Sequence, residues 1–268
     1  MVYQLAALRT LDVSKNKISN LGNLSELKEL KSLNCDENSL VLGALFPISR
    51  LSKLQVLSLG KNRIEYPAAG RAFPSLPPKL KQLKIHGNSF SGKNLATQPV
   101  KCEIISDVIS YRTQSPQTNL LLSAIPKQIC DPKLPLEKLD ISSNNLAAIP
   151  TEICNLTALT ELNLDNNVLV SLPVEIGELR KLKVLSLRDN HIQVVNAIFS
   201  ASNPQPIPSS LFENTPLIDL NLHGNKLTST QLNEFVGFSI FLERRKMVKT
   251  KNLYGGAMDG DSTNCGLK

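Results

Sequence analysis

Apolar residues recur along the chain at a fixed spacing, in the pattern L-x-x-L-x-L-x-x-N-x-L with minor substitutions. Two apolar positions separated by one polar position predict a short β-strand with one face in a core and the other in solvent. The pattern occurs eight times, with copies that open at Leu8, Leu30, Leu54, Leu80, Leu136, Leu159, Leu182 and Leu217. The chain is therefore predicted to be a stack of similar units, each of which buries its apolar face against its neighbours.

This pattern resembles that of leucine-rich repeat proteins. The resemblance implies an α/β solenoid in the form of a right-handed horseshoe, with a parallel inner sheet and a short-helical or irregular convex side. We predict eight repeats over residues 1–227, a C-terminal capping helix over 228–251 and a disordered tail over 252–268, which is rich in Gly, Asp and Ser. The cap is expected because a solenoid must cover its last hydrophobic cross-section.

An asparagine stands in every repeat where the chain leaves the strand. Its side-chain amide can satisfy backbone groups of the turn in its own repeat and in the next one. We therefore predict a structural ladder, and not a binding site, for Asn16, Asn38, Asn62, Asn88, Asn144, Asn167, Asn190 and Asn225.

The segments between the strands indicate a narrower resemblance. Segments 149–156 and 172–179 have the sequence pattern I/L-P-x-E-I-x-x-L. This pattern resembles that of intracellular leucine-rich repeat proteins of the Ras-group-related class. Segment 221–246 resembles the last repeat and cap of the same class, although Lys226 replaces the usual proline and Val236 the usual acidic residue. The resemblance implies a cytosolic interaction protein without catalytic residues.

Other segments differ from this sequence pattern. Segment 18–27 is more similar to the phosphatase-regulator subclass of leucine-rich repeats, so the array is mixed. Two intervals between repeats are too long, and both return to the normal spacing when 91–122 and 194–205 are removed. These insertions are either binding loops, or tolerated or unspliced sequence, and we favour the second explanation.

The segment after the last repeat carries two further signals. Thr228 and Gln231 have the spacing of a capping box, and the apolar residues that follow have helical spacing. Five positive charges then lie close together, at Arg244, Arg245, Lys246, Lys249 and Lys251. This group is either the solvated face of the cap helix, which we favour, or a nuclear import signal or polyanion contact.

The residues that alternate with the leucines of each strand should face solvent on the concave side. They are polar, of mixed sign and without an aromatic anchor, which is typical of a surface of modest affinity. Charges are denser in the later repeats, where we predict partner contacts at Lys84, His86, Lys138, Asp140, Glu161, Asn163, Asp165, Ser186, Arg188, Asp219, Asn221 and His223. The alternative is that these residues only keep the sheet solvated.

Composition and charge restrict the class of protein further. The 268 residues carry a net charge of +7 and 4% aromatic residues, without the basic stripe and interleaved aromatics that nucleic acids require. No apolar stretch approaches the ~20 residues of a membrane helix. Val2 excludes an N-myristoyl anchor. The odd number of cysteines predicts free thiols, and we expect Cys130 and Cys154 to be core thiols rather than a redox pair.

Catalytic chemistry is not predicted. His86 and His223 occupy the same repeat position four repeats apart, about 19 Å at the ~4.8 Å spacing of strands, too far to share a metal. Segment 87–93 matches most of a phosphate-binding loop, but Asn94 stands where this loop needs Ser or Thr. We expect no catalytic residues, no metal and no cofactor.

The sequence therefore predicts a non-catalytic protein–protein interaction scaffold in the cytoplasm, which binds a partner protein on the concave sheet. The family resemblance points to small-GTPase or phosphatase signalling. The alternative function is association with a polyanion or membrane surface through residues 244–251, which would allow a nuclear location. We expect no membrane span, and a monomer unless the exposed N-terminal strand edge pairs with another chain.

Overall fold

The computed structural model describes residues 7–65, 72–88, 125–194, 205–253 and 265–267. Within them, eight strands form one parallel sheet in chain order. The strands are β1 (Thr10–Asp12), β2 (Ser32–Asn34), β3 (Val56–Ser58), β4 (Gln82–Lys84), β5 (Lys138–Asp140), β6 (Glu161–Asn163), β7 (Val184–Ser186) and β8 (Asp219–Asn221). The predicted α/β solenoid with a parallel sheet is confirmed.

The core runs under the middle residue of every strand. These residues are in register along the sheet: Leu11, Leu33, Leu57, Leu83, Leu139, Leu162, Leu185 and Leu220. From Leu33 onward each is at most 2% exposed, whereas Leu11 is half-buried at the open end of the sheet. Burial of this apolar surface stabilises the stack. Each repeat buries its own part of the surface by packing against the neighbouring repeats.

The return side consists mainly of short 3-10 helices, at Leu24–Glu26, Leu42–Arg50, Thr151–Asn155 and Val174–Glu178. Pro150 and Pro173 are the N-caps of the last two helices, with φ of −69° and −71°, which is the angle that the proline ring imposes. Ile153 and Ile176 then enter the core with no exposed surface. In the repeated Pro-x-Glu-Ile motif, the proline thus sets the start of the helix and the isoleucine holds the helix to the core.

Each turn after a strand contains one residue in the left-handed region of φ. Its φ lies between 51° and 76°, and the residues are Lys15, Glu37, Lys61, Gly87, Ser143, Asn166, Asp189 and Gly224. Only two of them are glycines, so most repeats hold an ordinary side chain in a conformation that costs about 1 kcal/mol. The asparagine that follows supplies the hydrogen bonds that hold this turn.

The asparagine ladder joins each turn to the preceding repeat. Asn190 Nδ2 donates to the carbonyls of Leu187 (3.0 Å) and Arg188 (3.1 Å) in its own turn, and to Leu164 (3.0 Å) one repeat earlier. Its Oδ1 accepts from the Leu169 N–H at 3.1 Å. The bonds therefore reach back to the preceding repeat, and not forward to the next one as the sequence analysis expected. Among the described residues, Asn16 in the first repeat bonds to carbonyls of its own turn.

Helices cover the end of the sheet beyond β7. They are α1 (Ser209–Asn214), α2 (Ser229–Asn233) and α3 (Phe238–Leu253). We predicted one capping helix, but the chain breaks it at Gly237, where φ is 85°. The capping box is present, because Thr228 Oγ1 accepts from the Gln231 N–H and Gln231 Oε1 accepts from the Thr228 N–H. Phe238 of α3 packs edge-on against Phe212 of α1, with ring centroids 5.5 Å apart.

The C-terminal segment is described in two parts. Helix α3 continues to Leu253, and residues 265–267 pack against β8, with Cys265 and Leu267 buried. The disordered tail over 252–268 stays a prediction, of which the described parts are the end of α3 at residues 252–253 and the turn at 265–267. The predicted insertion 91–122 lies outside the described residues, and of 194–205 only the two end residues lie within them.

Candidate protein-binding face

Each repeat places three residues on the same side of the sheet: the first and third residues of the strand and the residue two positions later. Most of them reach solvent, whereas Ser58, Gly60 and Ser142 are buried. We call this surface the sheet face. It contains all twelve predicted partner-binding residues. Lys138, Arg188, Asp219 and His223 are exposed, and the other eight are half-buried. The structure therefore brings the predicted set together on one surface, although its members differ in what they contact.

Several of these side chains are paired with each other. Lys138 Nζ lies 2.7 Å from Glu161 Oε1 across β5 and β6. The Arg188 guanidinium lies 3.9 Å from the carboxylate of its neighbour Asp189, and its side chain is exposed. The side chain of Lys84 has no hydrogen bond or ion pair within the described part of the chain. Lys84 and Arg188 are thus the cations of the sheet face that are most available to a partner.

The third residue of the strand often has a structural role that the sequence analysis missed. Where this residue is Asp or Asn, its side chain accepts a hydrogen bond from the backbone N–H two residues later. The acceptors, at 2.9–3.1 Å, are Asp12, Asn34, Asp140, Asn163 and Asn221. Sequence reasoning could have found this role from the recurrence of Asp and Asn at the third strand position. A short side chain that accepts a hydrogen bond suits the turn that ends a strand.

Two carboxylates two residues after the strand join adjacent repeats. Asp36 accepts from the Gly60 N–H at 2.6 Å and from the Ser58 hydroxyl at 2.7 and 2.8 Å. Asp165 accepts from the Arg188 N–H at 2.7 Å. Because these groups already hold the backbone of the next repeat, Asp165 is a structural residue in part, and less of its charge is available to a partner.

His86 packs into a place that a glycine keeps open. Its ring lies over Gly60 so closely that a Cβ added to Gly60 would be 2.2–2.7 Å from three ring atoms. Its Nδ1 is buried, 3.8 Å from Asp140 Oδ2, without a hydrogen-bond partner among the described residues. The imidazole is therefore fixed by packing against β3 rather than presented freely to solvent.

This arrangement gives a test of the His86 position. Gly60→Ala is expected to displace the imidazole and to lower the free energy of unfolding by about 1 kcal/mol, because the ring can move aside. The measurement is the NMR chemical shift of the His86 ring protons together with urea unfolding. Gly43→Ala is the control, since a Cβ there meets nothing within 4 Å. Unchanged His86 shifts in Gly60→Ala would contradict the packing described.

The cysteines within the described residues are free thiols of the core or its margin. Burial, with smaller contributions from Asp36 and Asp12, raises the pKa of Cys35 to about 12. Burial, followed by Glu152 and Cys154, raises the pKa of Cys130 to about 12, whereas Cys154 is half-buried. Cys130 and Cys154 are not joined by a disulfide. A thiol held protonated by an apolar environment is a poor nucleophile and a poor metal ligand.

The remaining candidate features of the described part of the chain are metal ligands, a membrane helix and a phosphate-binding loop. Within it, no group of three or more His, Cys, Asp or Glu side chains is arranged to hold a metal ion. No described helix combines the length and apolar character needed to cross a membrane. Of the segment similar to a phosphate-binding loop, only Gly87 and Asn88 are described, and both serve the turn after β4.

The basic segment after β8 is used inside the cap. Arg244 donates to the Phe212 carbonyl at 2.8 Å and to the Leu217 carbonyl at 3.1 Å, and its burial lowers its pKa from the usual arginine range. Arg245 is 9% exposed, and its guanidinium carbon lies 5.8 Å from the centre of the Phe241 ring. Two of the five charges on which the polyanion alternative depends are therefore structural, and Lys246 is exposed.

The described sheet is open and parallel, and it has one polar face and one buried apolar face. Its strands pair in chain order, so each repeat packs against its neighbours in the sequence, which is typical of a solenoid repeat protein. Family models described as leucine rich repeat match residues 135–195 and 6–22. Together with the sheet, these matches show the fold of a leucine-rich repeat solenoid. The sequence has no significant match among curated proteins.

Solved structures agree in fold. A leucine-rich repeat protein of Leptospira interrogans is 24% identical, with a TM-score of 0.52, over 97% of this chain and 56% of that protein. A TDR receptor is 22% identical, with a TM-score of 0.54, over 90% of this chain and 34% of the receptor. The chain thus spans about half and one third of these two proteins. Leucine-rich repeat domains generally mediate protein–protein interactions.

Proposed function

We propose that this chain is a non-catalytic scaffold that binds a partner protein on its sheet face, in the cytoplasm, in small-GTPase or phosphatase signalling. The observation that carries the proposal is the continuous eight-stranded sheet, whose polar side no described helix or strand covers, although residues 265–267 contact Asn221 and His223 at its last strand. Repeat proteins use such extended surfaces to bind other proteins. The signalling context follows from the resemblance of the return segments and cap to the Ras-group-related and phosphatase-regulator classes.

The available cations define the kind of partner. Lys84 lies at the end of β4 and Arg188 lies two residues beyond β7, so three strand spacings, about 14 Å, separate their rows. Around them, the Lys138–Glu161 pair and the asparagines supply neutral polar contacts. A partner that places two carboxylate groups at this separation fits the surface best. Without an aromatic anchor, binding of modest affinity is expected.

The test is affinity purification with mass spectrometry from cells that contain the protein, using Lys84→Glu plus Arg188→Glu. Reversal of both charges is expected to reduce recovery of the partner at least tenfold, because like charges then oppose its carboxylates. The control is Lys28→Glu plus Arg63→Glu, which makes the same change in net charge at exposed positions outside the sheet face. It should leave recovery unchanged.

Two other outcomes are informative. Equal recovery with wild type, the sheet-face variant and the control would refute the sheet face as the binding surface. Recovery that falls equally in both variants would mean that net charge matters rather than Lys84 and Arg188. Both variants must first unfold at the same urea concentration as the wild type, so that a loss of binding is not a loss of fold.

A further inference from the structure

The C-terminal tip, which we define as Cys265–Leu267, takes the position of the next repeat beyond β8. The Leu222 N–H donates to the Cys265 carbonyl at 2.8 Å. The equivalent N–H groups one and two repeats earlier, of Leu187 and Leu164, donate to the third residues of β8 and β7 at 2.8 and 2.9 Å. One carbonyl of the tip thus replaces the strand that the solenoid does not have at this end.

The side chains of the tip complete the apolar end of the solenoid. Cys265 is 2% exposed and Leu267 8% exposed, although they lie at the end of the chain. Arg245 of α3 donates through Nη1 to Cys265 Sγ at 3.9 Å, so the cap helix and the tip are in contact. Burial raises the pKa of the Cys265 thiol to about 11, although Arg245 acts in the opposite direction.

The tip is a tight turn rather than a strand. Cys265 and Gly266 have φ of 51° and 76°, and a Cβ at Gly266 would lie 3.0 Å from His223 Cβ and 3.1 Å from Asn221 Oδ1. The Gly266 carbonyl lies 3.1 Å from His223 Nδ1, which donates to it when that nitrogen carries the proton. The tip therefore lies against the last two residues of the predicted partner-binding set.

The contacts of the tip are few compared with those that hold a repeat. Among the described residues, it is tied by the Leu222–Cys265, His223–Gly266 and Arg245–Cys265 hydrogen bonds and by two apolar side chains. Each internal repeat instead has a strand, a ladder asparagine and buried residues on both sides. Segments with few contacts open at a small fraction of the free energy of global unfolding. The tip can thus detach while the solenoid stays folded.

We propose that the C-terminal tip is a releasable latch, which closes the edge of the sheet at β8 and contacts Asn221 and His223 until it detaches. The part of this inference that concerns access to the sheet face rests on the proposed function. The latch itself rests only on the contacts of Cys265, Gly266 and Leu267. Its test therefore needs no partner, and its failure can be told from failure of the proposed function.

The experiment measures alkylation of individual thiols in the full-length folded protein. Samples are treated with iodoacetamide for increasing times and digested with trypsin. Peptide 252–268 contains Cys265 as its single cysteine, and peptide 32–50 contains only Cys35. Cys265 therefore reports release of the latch and Cys35, in the core between β2 and its turn, reports opening of the solenoid.

Wild-type Cys265 is expected to react at least tenfold more slowly than in the urea-unfolded chain, but faster than Cys35. Leu267→Asp should increase the rate at Cys265 at least tenfold and leave Cys35 unchanged, because it places a charge in an apolar site. Gly266→Ala provides a second, milder variant, which should accelerate Cys265 alone. Met247→Asp is the matched control, since Met247 is 67% exposed on α3, and it should change neither rate.

Three results would overturn the proposal. In the first, wild-type Cys265 reacts as fast as in the unfolded chain, so that no latch covers it. In the second, Leu267→Asp and Gly266→Ala leave the rate at Cys265 unaltered. In the third, either variant accelerates Cys35 by the same factor as Cys265, which would make the tip an inseparable part of the folded array.

Discussion

Asn190→Ala is expected to lower the free energy of unfolding by about 3–5 kcal/mol. The side chain is 2% exposed, and it satisfies three backbone carbonyls and one N–H in two adjacent repeats. Alanine leaves the buried Leu169 N–H without a partner, at roughly 1–3 kcal/mol, and removes one hydrogen bond from each of the three carbonyls, at about 0.5–1 kcal/mol each. Each carbonyl keeps one other donor, which is Asn225 for Leu187, Asn166 for Arg188 and Asn167 for Leu164. Urea unfolding followed by circular dichroism measures the change. Loss of cooperativity is also expected, because the ladder couples one repeat to the next.

The matched control is the ladder asparagine of the first repeat. Asn16 is exposed, and its bonds within the described residues are to the Val13 and Ser14 carbonyls of its own turn. Water can replace its amide, so Asn16→Ala should lower stability by no more than about 1 kcal/mol. Similar losses in the two variants would mean that the bonds between repeats do not stabilise the array.

Phe212→Ala is expected to lower the free energy of unfolding by about 3–5 kcal/mol, as is usual when a fully buried aromatic side chain is removed. Its ring has no exposed surface and contacts Phe238 and Phe241, at centroid distances of 5.5 and 6.1 Å. Because these residues join α1 to α3, the cap should detach before the repeats unfold. Urea unfolding and limited proteolysis of the cap measure the two effects.

Phe46→Ala is the control for this substitution. Phe46 lies in the 3-10 helix Leu42–Arg50 and is 54% exposed, so the same atoms are removed with little loss of buried surface. We expect a loss below about 1 kcal/mol and an unchanged pattern of proteolysis at the cap. If Phe212→Ala were as mild as this control, the three-phenylalanine cluster could not be what fixes the cap.

The strands could be predicted from sequence because the same short pattern of residues occurs in every repeat. Each copy places leucines two residues apart and an asparagine at the turn, and every strand was found between these markers. Stacking of equal repeats also sets the register of the strands, since Leu162 pairs with the equivalent leucines of both neighbouring strands. The set of residues on the sheet face follows from this alternation without knowledge of tertiary contacts.

The roles of those residues could not be predicted in the same way. Whether Asp165 is available depends on the N–H of Arg188 one repeat later, and the place of His86 depends on the missing side chain of Gly60. At the C-terminus the periodic pattern ends, so the burial of Arg244 and of the tip depends on contacts between distant segments. A hydropathy pattern records only the local part of these interactions.

The apolar core is covered unevenly along the described repeats. In the first repeat Leu8, Leu11, Val13 and Ile18 are half-buried, whereas their counterparts in the second repeat have no exposed surface. Beyond β8 the core is covered by α3, the phenylalanine cluster and the tip. Because neighbouring repeats stabilise each other in series, this cover protects the repeats next to it from local unfolding. The carboxyl-terminal repeats are therefore the rigid part of the described array.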